Sequence, residues 1–159
     1  MAKEQTVVSN EMKTLSIHSE HHFARVLDIG EYFGVTLKKM GFQYRHPVLL
    51  ADGTEVMWFR LGGKPWNNRL VNANDEDWTS GQSLDGYNLL KEVNDDNHSA
   101  VENVLKQLDE RNSKRKIVFV VEHAHGYCYR FAGVFEFDSE ESHKQGKIIS
   151  HRVEEEINL

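Results

Sequence analysis

Residues 44–69 hold a dense set of aromatic rings, cations, amides and one candidate reading carboxylate. Tyr44, Arg45 and His46 come first, then Asp52, then Trp58, Phe59 and Arg60, then Lys64, Trp66, Asn67, Asn68 and Arg69. Aromatic faces stack on nucleobases. Amides and carboxylates read base edges, and Arg or Lys neutralises phosphates. The set therefore has the parts of a nucleic-acid site. Alternate aromatics on a strand are also ordinary core residues. Trp58 and Phe59 point to opposite faces of a strand, so one belongs to the core and the other is free. Trp66 follows Gly62-Gly63-Lys64-Pro65 in a polar stretch and is harder to assign to a core.

Histidines offer a second chemistry. His123 and His125 stand one residue apart, so on a strand they would project together and could share a metal ion. His18, His21 and His22 cluster upstream, and His143 and His151 follow. No cysteine pair completes a closed zinc site, and turn histidines at a hairpin are the plainer reading. Carboxylates cluster at Asp75, Glu76 and Asp77, but without the strand spacing and neighbouring lysine of a metal-dependent nuclease. Glu122 ends an apolar run and is followed by His-Ala-His, not by x-Lys. Solvated loop charges account for these acids. Neither a Gly-rich phosphate loop nor a serine elbow is present. A binding protein with no catalytic residue, cofactor or resident metal is expected, rather than an enzyme.

These groups need a frame. The chain has 159 residues, enough for one domain with one core. Its 39% hydrophobic and 28% charged content belongs to the soluble globular class. No apolar run approaches a membrane helix, and residues 1–13 lack a signal-peptide core. The single cysteine, Cys128, cannot make an internal disulfide and reads as a small partly buried thiol. A reducing cytoplasm is the expected compartment. The formal charge of −6 opposes broad, non-specific affinity for nucleic acid and leaves room for a local basic face.

Residues 1–17 are polar and aperiodic, an expected loose arm ahead of a single domain over 18–159. Residues 19–33 place Phe23, Val26 and Leu27, then Ile29 or Tyr32, on one helical face, with Ser19 as N-cap and Gly34 as stop. Residues 46–50 and 55–61 flank Asp52-Gly53, a strong hairpin signal. Residues 66–78 read as a long polar loop, and long loops in compact domains often carry function. Residues 83–93 suggest a short helix interrupted at Gly86. Ser99 and Glu102 make a capping box for a helix with Val101, Val104, Leu105 and Leu108 on its apolar side. A basic turn spans 111–116. Strands over 117–122 and 127–137 follow, with Gly133 marking a bulge, and a last strand covers 147–157. The order predicts an α+β fold: a curved antiparallel β pseudo-barrel with two or three flanking helices.

Several stretches carry a resemblance. Trp58-Phe59-Arg60-Leu61-Gly62-Gly63 is a strand ending in an aromatic and then Gly-Gly. Residues 77–90 form an acidic-polar segment. A Val-rich strand and Tyr129-Arg130-Phe131-Ala132-Gly133-Val134-Phe135 come next, then a charged strand at 147–156. In this order they resemble the SET-and-RING-associated (SRA) domain and its bacterial PUA-like relatives attached to restriction systems. The resemblance implies binding of duplex DNA with a modified cytosine flipped into a pocket, stacked between rings and read by an acidic residue. By position it assigns stacking to Phe59 and edge reading to Asp52. Two departures stand out: the family's Ser-Gly-Gly-Tyr-acidic segment reads Leu49-Leu50-Ala51-Asp52-Gly53-Thr54 here, and Phe59 replaces a tyrosine.

The leading expectation is a non-enzymatic nucleic-acid-binding module, with DNA favoured over RNA and no membrane partner. It would recognise a modified base through Tyr44, Arg45, Asp52, Trp58, Phe59, Arg60, Lys64, Trp66, Asn67 and Arg69. The basic turn at 111–116 and Arg130 would contribute outside the pocket. The second reading is a small phage or mobile-element protein that sequesters a defence protein or its nucleotide signal through an acidic surface at Asp75, Glu76 and Asp77. The third is a small metal-dependent enzyme using His123 and His125.

Overall fold

The computed structural model describes residues 14–19, 22–41, 43–44, 46–124 and 127–158. In chain order the elements are β1 (Thr14–Ser16), β2 (His22–Phe23), α1 (Val26–Phe33), β3 (Lys39–Met40), β4 (Gln43–Tyr44), β5 (Val48–Leu49), β6 (Glu55–Phe59), β7 (Asn67–Val71), β8 (Leu89–Val93), α2 (His98–Glu110), β9 (Arg115–Glu122), β10 (Cys128–Phe137), α3 (Ser139–Gln145), β11 (Ile148–Glu154) and β12 (Glu156–Asn158). The fold is α+β, as expected. The main sheet runs β5-β6-β9-β10-β11-β8-β7, with β2 paired to the start of β10. All pairs are antiparallel except β6 with β9. The sheet does not close into a barrel, because β5 and β7 end the ladder. One isolated bridge links Gly62 after β6 to Asn68 in β7, with the Gly62 N–H donating to the Asn68 carbonyl at 2.8 Å.

The Val/Phe-rich run of β9 and β10 became the spine because β-branched and aromatic side chains fit a pleated surface covered on both sides. Val118, Phe119, Val120, Ala132 and Phe135 are fully buried there. Each of the Val and Phe side chains contributes roughly 1.5–3 kcal/mol on burial. Gly133 has φ +124, and the register shifts between Phe131 and Gly133, so the expected bulge is present. A Cβ at Gly133 would overlap the Arg152 side chain. Arg152 donates to the carbonyls of Ala132 at 3.1 Å and Leu84 at 2.9 Å, tying the loop before β8 to β10. A second apolar cluster, Val101, Leu105, Leu108, Phe137 and Ile148, seats α2.

Several expectations are corrected. Residues 14–17, assigned to the arm, belong to the folded body: β1 pairs with β12, and Leu15 and Ile17 are buried. The helix over 19–33 begins later, at Val26, because the side chain of Asp28 accepts from the Arg25 N–H at 3.1 Å and sets the N-terminus there. Gly34, in the left-handed conformation at φ 68, stops it as expected. Asn97, not Ser99, caps α2 by accepting from the Ala100 N–H. Residues 67–71 and 89–93 are paired strands, not a loop and a helix. The sheet needed β7 and β8 as partners, and tertiary pairing overrode weak local preference.

The basic turn also changes meaning. Lys114 donates to the carbonyls of Leu108, Asp109 and Arg111 and so closes the C-terminus of α2. Arg111 pairs with Glu55 at 2.7 Å, and Arg115 pairs with Glu154. Lys116 is 1% exposed and pairs with Glu92 at 2.8 Å. These cations serve the fold. No helix among the described residues is long and apolar enough to cross a membrane.

Candidate functional site

Charge is unevenly spread along the chain. Residues 32–74 carry six Lys or Arg against two Asp or Glu, a balance of +4, whereas the whole chain is −6 and the remainder is therefore −10. Of the two acids, Glu55 is buried against Arg111. The other, Asp52, sits in the β5–β6 turn, where its Oδ1 accepts the Thr54 N–H at 2.9 Å and that bond holds its carboxyl below the usual range.

At the exit of β6 lies a set of rings with one cation. Trp58 is half-buried and its ring stands 4.6 Å from the His46 ring, while its backbone N–H donates to His46 Nε2 at 3.0 Å. The His46 residue as a whole is exposed, but its ring is enclosed, and burial pushes the imidazole down to about 4. The Trp58 bond acts the same way, since a protonated ring has no lone pair to accept it. Arg60 is exposed. Its guanidinium lies 5.7 Å from the Tyr127 ring centroid and donates to the Tyr127 hydroxyl at 3.4 Å. That bond lowers the Tyr127 pKa, whereas burial, aided by Tyr127, pushes Tyr129 up to about 12. Tyr127 is 51% exposed, with His123 and Tyr129 ring-to-edge against it. Among the described residues, no carboxylate pairs with Arg60.

Glu122 shapes the hairpin tip that presents these rings. It is 2% exposed, and its Oε1 accepts the N–H groups of His123 and Ala124, each at 3.1 Å. Arg130 approaches its other oxygen at 3.4 Å. Burial opposes ionisation of Glu122, but these donors together with Ser80 and the Gly81 N–H outweigh it and hold its pKa down. Arg130 also donates to the carbonyls of Gln82 and Ile17, so its guanidinium is committed to contacts within the fold.

The entry of β7 is different. Arg69 donates to Asp77 at 2.8 Å and to the Asp75 carbonyl at 3.0 Å, and Lys91 reaches Asp75 at 3.0 Å. Trp66, expected outside the core, is half-buried and packs on the α2 cluster. Asn67 is exposed and Asn68 half-buried. The acids proposed as a protein-docking surface are thus partly neutralised by Arg69 and Lys91.

The expected set is accordingly divided. Trp58 has His46 against it, and Arg60, two residues further on, has Tyr127. Phe59 is 5% exposed and belongs to the core cluster, with the His46 ring 5.7 Å away. Lys64 is exposed in the loop after Gly63, and Tyr44 is half-buried beneath Lys39 at 5.6 Å. Arg45 and His125 lie outside the described residues. A concavity of about 350 Å³ is lined by Glu102, Lys106, Asp109, Glu110 and His143, none of them an expected site residue. His18, Asp85 and Glu155 are the group among the described residues whose ligand atoms approach closely enough for a metal, within 4.8 Å, and all three are exposed. Tyr127 and Glu122 were missed as site residues. The sequence signal for Tyr127 is a tyrosine directly after His-Gly between two strand-like runs, and Glu122 carries none beyond its place at the end of an apolar run.

A family model described as the SET and RING associated (SRA) domain matches residues 9–159. Among solved structures the fold is similar to that of the 5-hydroxymethylcytosine-specific restriction enzyme AbaSI. The TM-score is 0.66 at 19% identity, over 97% of this chain and 44% of that one. An identity this low speaks to the fold alone, and the chain spans less than half of that enzyme's length. No curated protein matches the chain.

Proposed function

The chain belongs to the SET and RING associated (SRA) domain family, and from that premise we propose that it is a DNA-binding module that reads a modified base. The observation that carries the reading is the surface at the exit of β6. There Trp58 and Arg60 lie in a stretch of the chain with a basic balance, Tyr127 from the β9–β10 hairpin meets Arg60, and among the described residues no carboxylate pairs with the arginine. The rings supply stacking faces, and Arg60 and the exposed Lys64 supply charge for phosphates. Asn67, exposed at the start of β7, offers an amide to a base edge.

Flipping a base out of a duplex costs a few kcal/mol, and each stacked ring returns about 1–3 kcal/mol. Two rings and a few polar contacts therefore suffice, which lets a chain of net −6 bind without a wide basic face. In this reading Asp52 holds the hairpin turn, and Phe59 supports His46 from within the core. Cytosine carrying a small 5-substituent is the base to test first. 5-Hydroxymethylcytosine leads because the structurally similar enzyme is specific for it.

The test is fluorescence anisotropy with duplexes carrying one cytosine, 5-methylcytosine or 5-hydroxymethylcytosine in ~50 mM salt, where phosphate contacts are strong. Wild type should bind and prefer a modified duplex. Trp58→Ala should weaken that binding about tenfold, as loss of one stacking ring implies. A wild-type chain that leaves all three duplexes free removes the proposal.

A further inference from the structure

β3 and β4 form a two-stranded sheet of their own, paired through Lys39 with Tyr44 and Met40 with Gln43. Gly41 turns between them in the left-handed conformation, φ 68. The ribbon lies in residues 32–51, which contain Lys38, Lys39 and Arg45 and no Asp or Glu. Lys38 and Lys39 are exposed, and among the described residues neither ammonium pairs with a carboxylate. Lys39 Nζ instead stands 5.6 Å from the Tyr44 ring centroid, which limits the positions its charge can take. At the foot of the ribbon, His46 packs on Trp58. A cationic ribbon therefore springs from the edge of the aromatic surface.

We infer that the β3–β4 ribbon is a second arm of the interface, one that grips the phosphate backbone beside the base-reading surface and carries no base preference. The inference rests on the DNA-binding reading above. Phosphates flanking a base held at Trp58 would pass the root of the ribbon, where Lys38 and Lys39 can each replace a condensed counterion. Unpaired lysines on an isolated ribbon could also serve solubility alone, and the salt dependence of binding separates the two roles.

The affinity of wild type and of the Lys38→Gln/Lys39→Gln double variant is measured between 50 and 200 mM salt on plain and modified duplexes. Each lost phosphate contact lowers the slope of log affinity against log salt by about 0.9. The double variant should have a slope shallower by about 2, an equal loss on both duplexes, and unchanged thermal unfolding. Lys106→Gln/Lys144→Gln, on α2 and α3, should keep the wild-type slope. If wild type binds and the ribbon variant keeps its slope, or loses affinity for the modified duplex alone, the arm is refuted while the base-reading surface stands. If wild type binds no duplex, both fall together.

Discussion

β6 and β7 carry the same two residue types where they meet their connecting loop. Trp58 and Arg60 stand at the exit of β6, and Trp66 and Arg69 flank the entry of β7. Arg69 donates to Asp77 and to the Asp75 carbonyl, and its neighbour Lys91 holds Asp75 as well. Among the described residues Arg60 meets the ring and hydroxyl of Tyr127 and no carboxylate. The contrast extends outward from these two sites. Arg111, Lys116 and Arg130 each face a carboxylate within the fold, whereas Lys38, Lys39 and Lys64 face none among the described residues. A cation's role here follows from where the chain brings its acids, not from the residues beside it in sequence.

The largest effect should come from the most enclosed pair. Lys116→Ala leaves Glu92 buried without a partner and should cost about 3–5 kcal/mol in urea unfolding. Lys116→Met with Glu92→Leu should recover most of that loss. An alanine variant as stable as wild type would mean that Lys116 is not committed to the fold, and the contrast would weaken.

A smaller effect sharpens the comparison directly. Arg60→Ala should leave thermal unfolding unchanged and make the salt dependence of DNA binding shallower by about one unit. Arg69→Ala should do the reverse, with a loss under about 1 kcal/mol in stability and the binding slope kept. Equal effects of the two substitutions on binding would erase the distinction between β6 and β7.

A different kind of test concerns pH. The folded-state pKa of His46 lies near 4, below the ordinary 6.5. As pH falls through that window the unfolded chain takes up a proton that the native ring refuses, so stability drops from about pH 6.5 toward pH 4. His46→Phe should flatten that part of a melting-temperature profile. An unchanged profile would show that the ring is not held neutral against Trp58.

Much of the frame was legible from local pattern. The Asp52-Gly53 hairpin, the bulge at Gly133, the stop at Gly34 and the apolar face of Val101, Leu105 and Leu108 all followed from turn chemistry and periodicity. The β7 and β8 strands did not, because residues such as Asn67, Asn68 and Lys91 have weak strand preference and pair only because the sheet edge is there to receive them. The candidate site was half legible. Trp58 and Arg60 were in the expected set, but Tyr127, distant in sequence, joins them only through the parallel pairing of β6 with β9 and the hairpin from β9 to β10.

Residue order alone settled the α+β class, the main hairpins and the kinds of side chain that gather between residues 44 and 69, since turns and alternation act over a few neighbours. Which rings face outward and which cations are left without an acid depended on contacts between residues far apart in the chain. Ion pairing and burial are set by distance in space, and Arg60 and Arg69 differ in both.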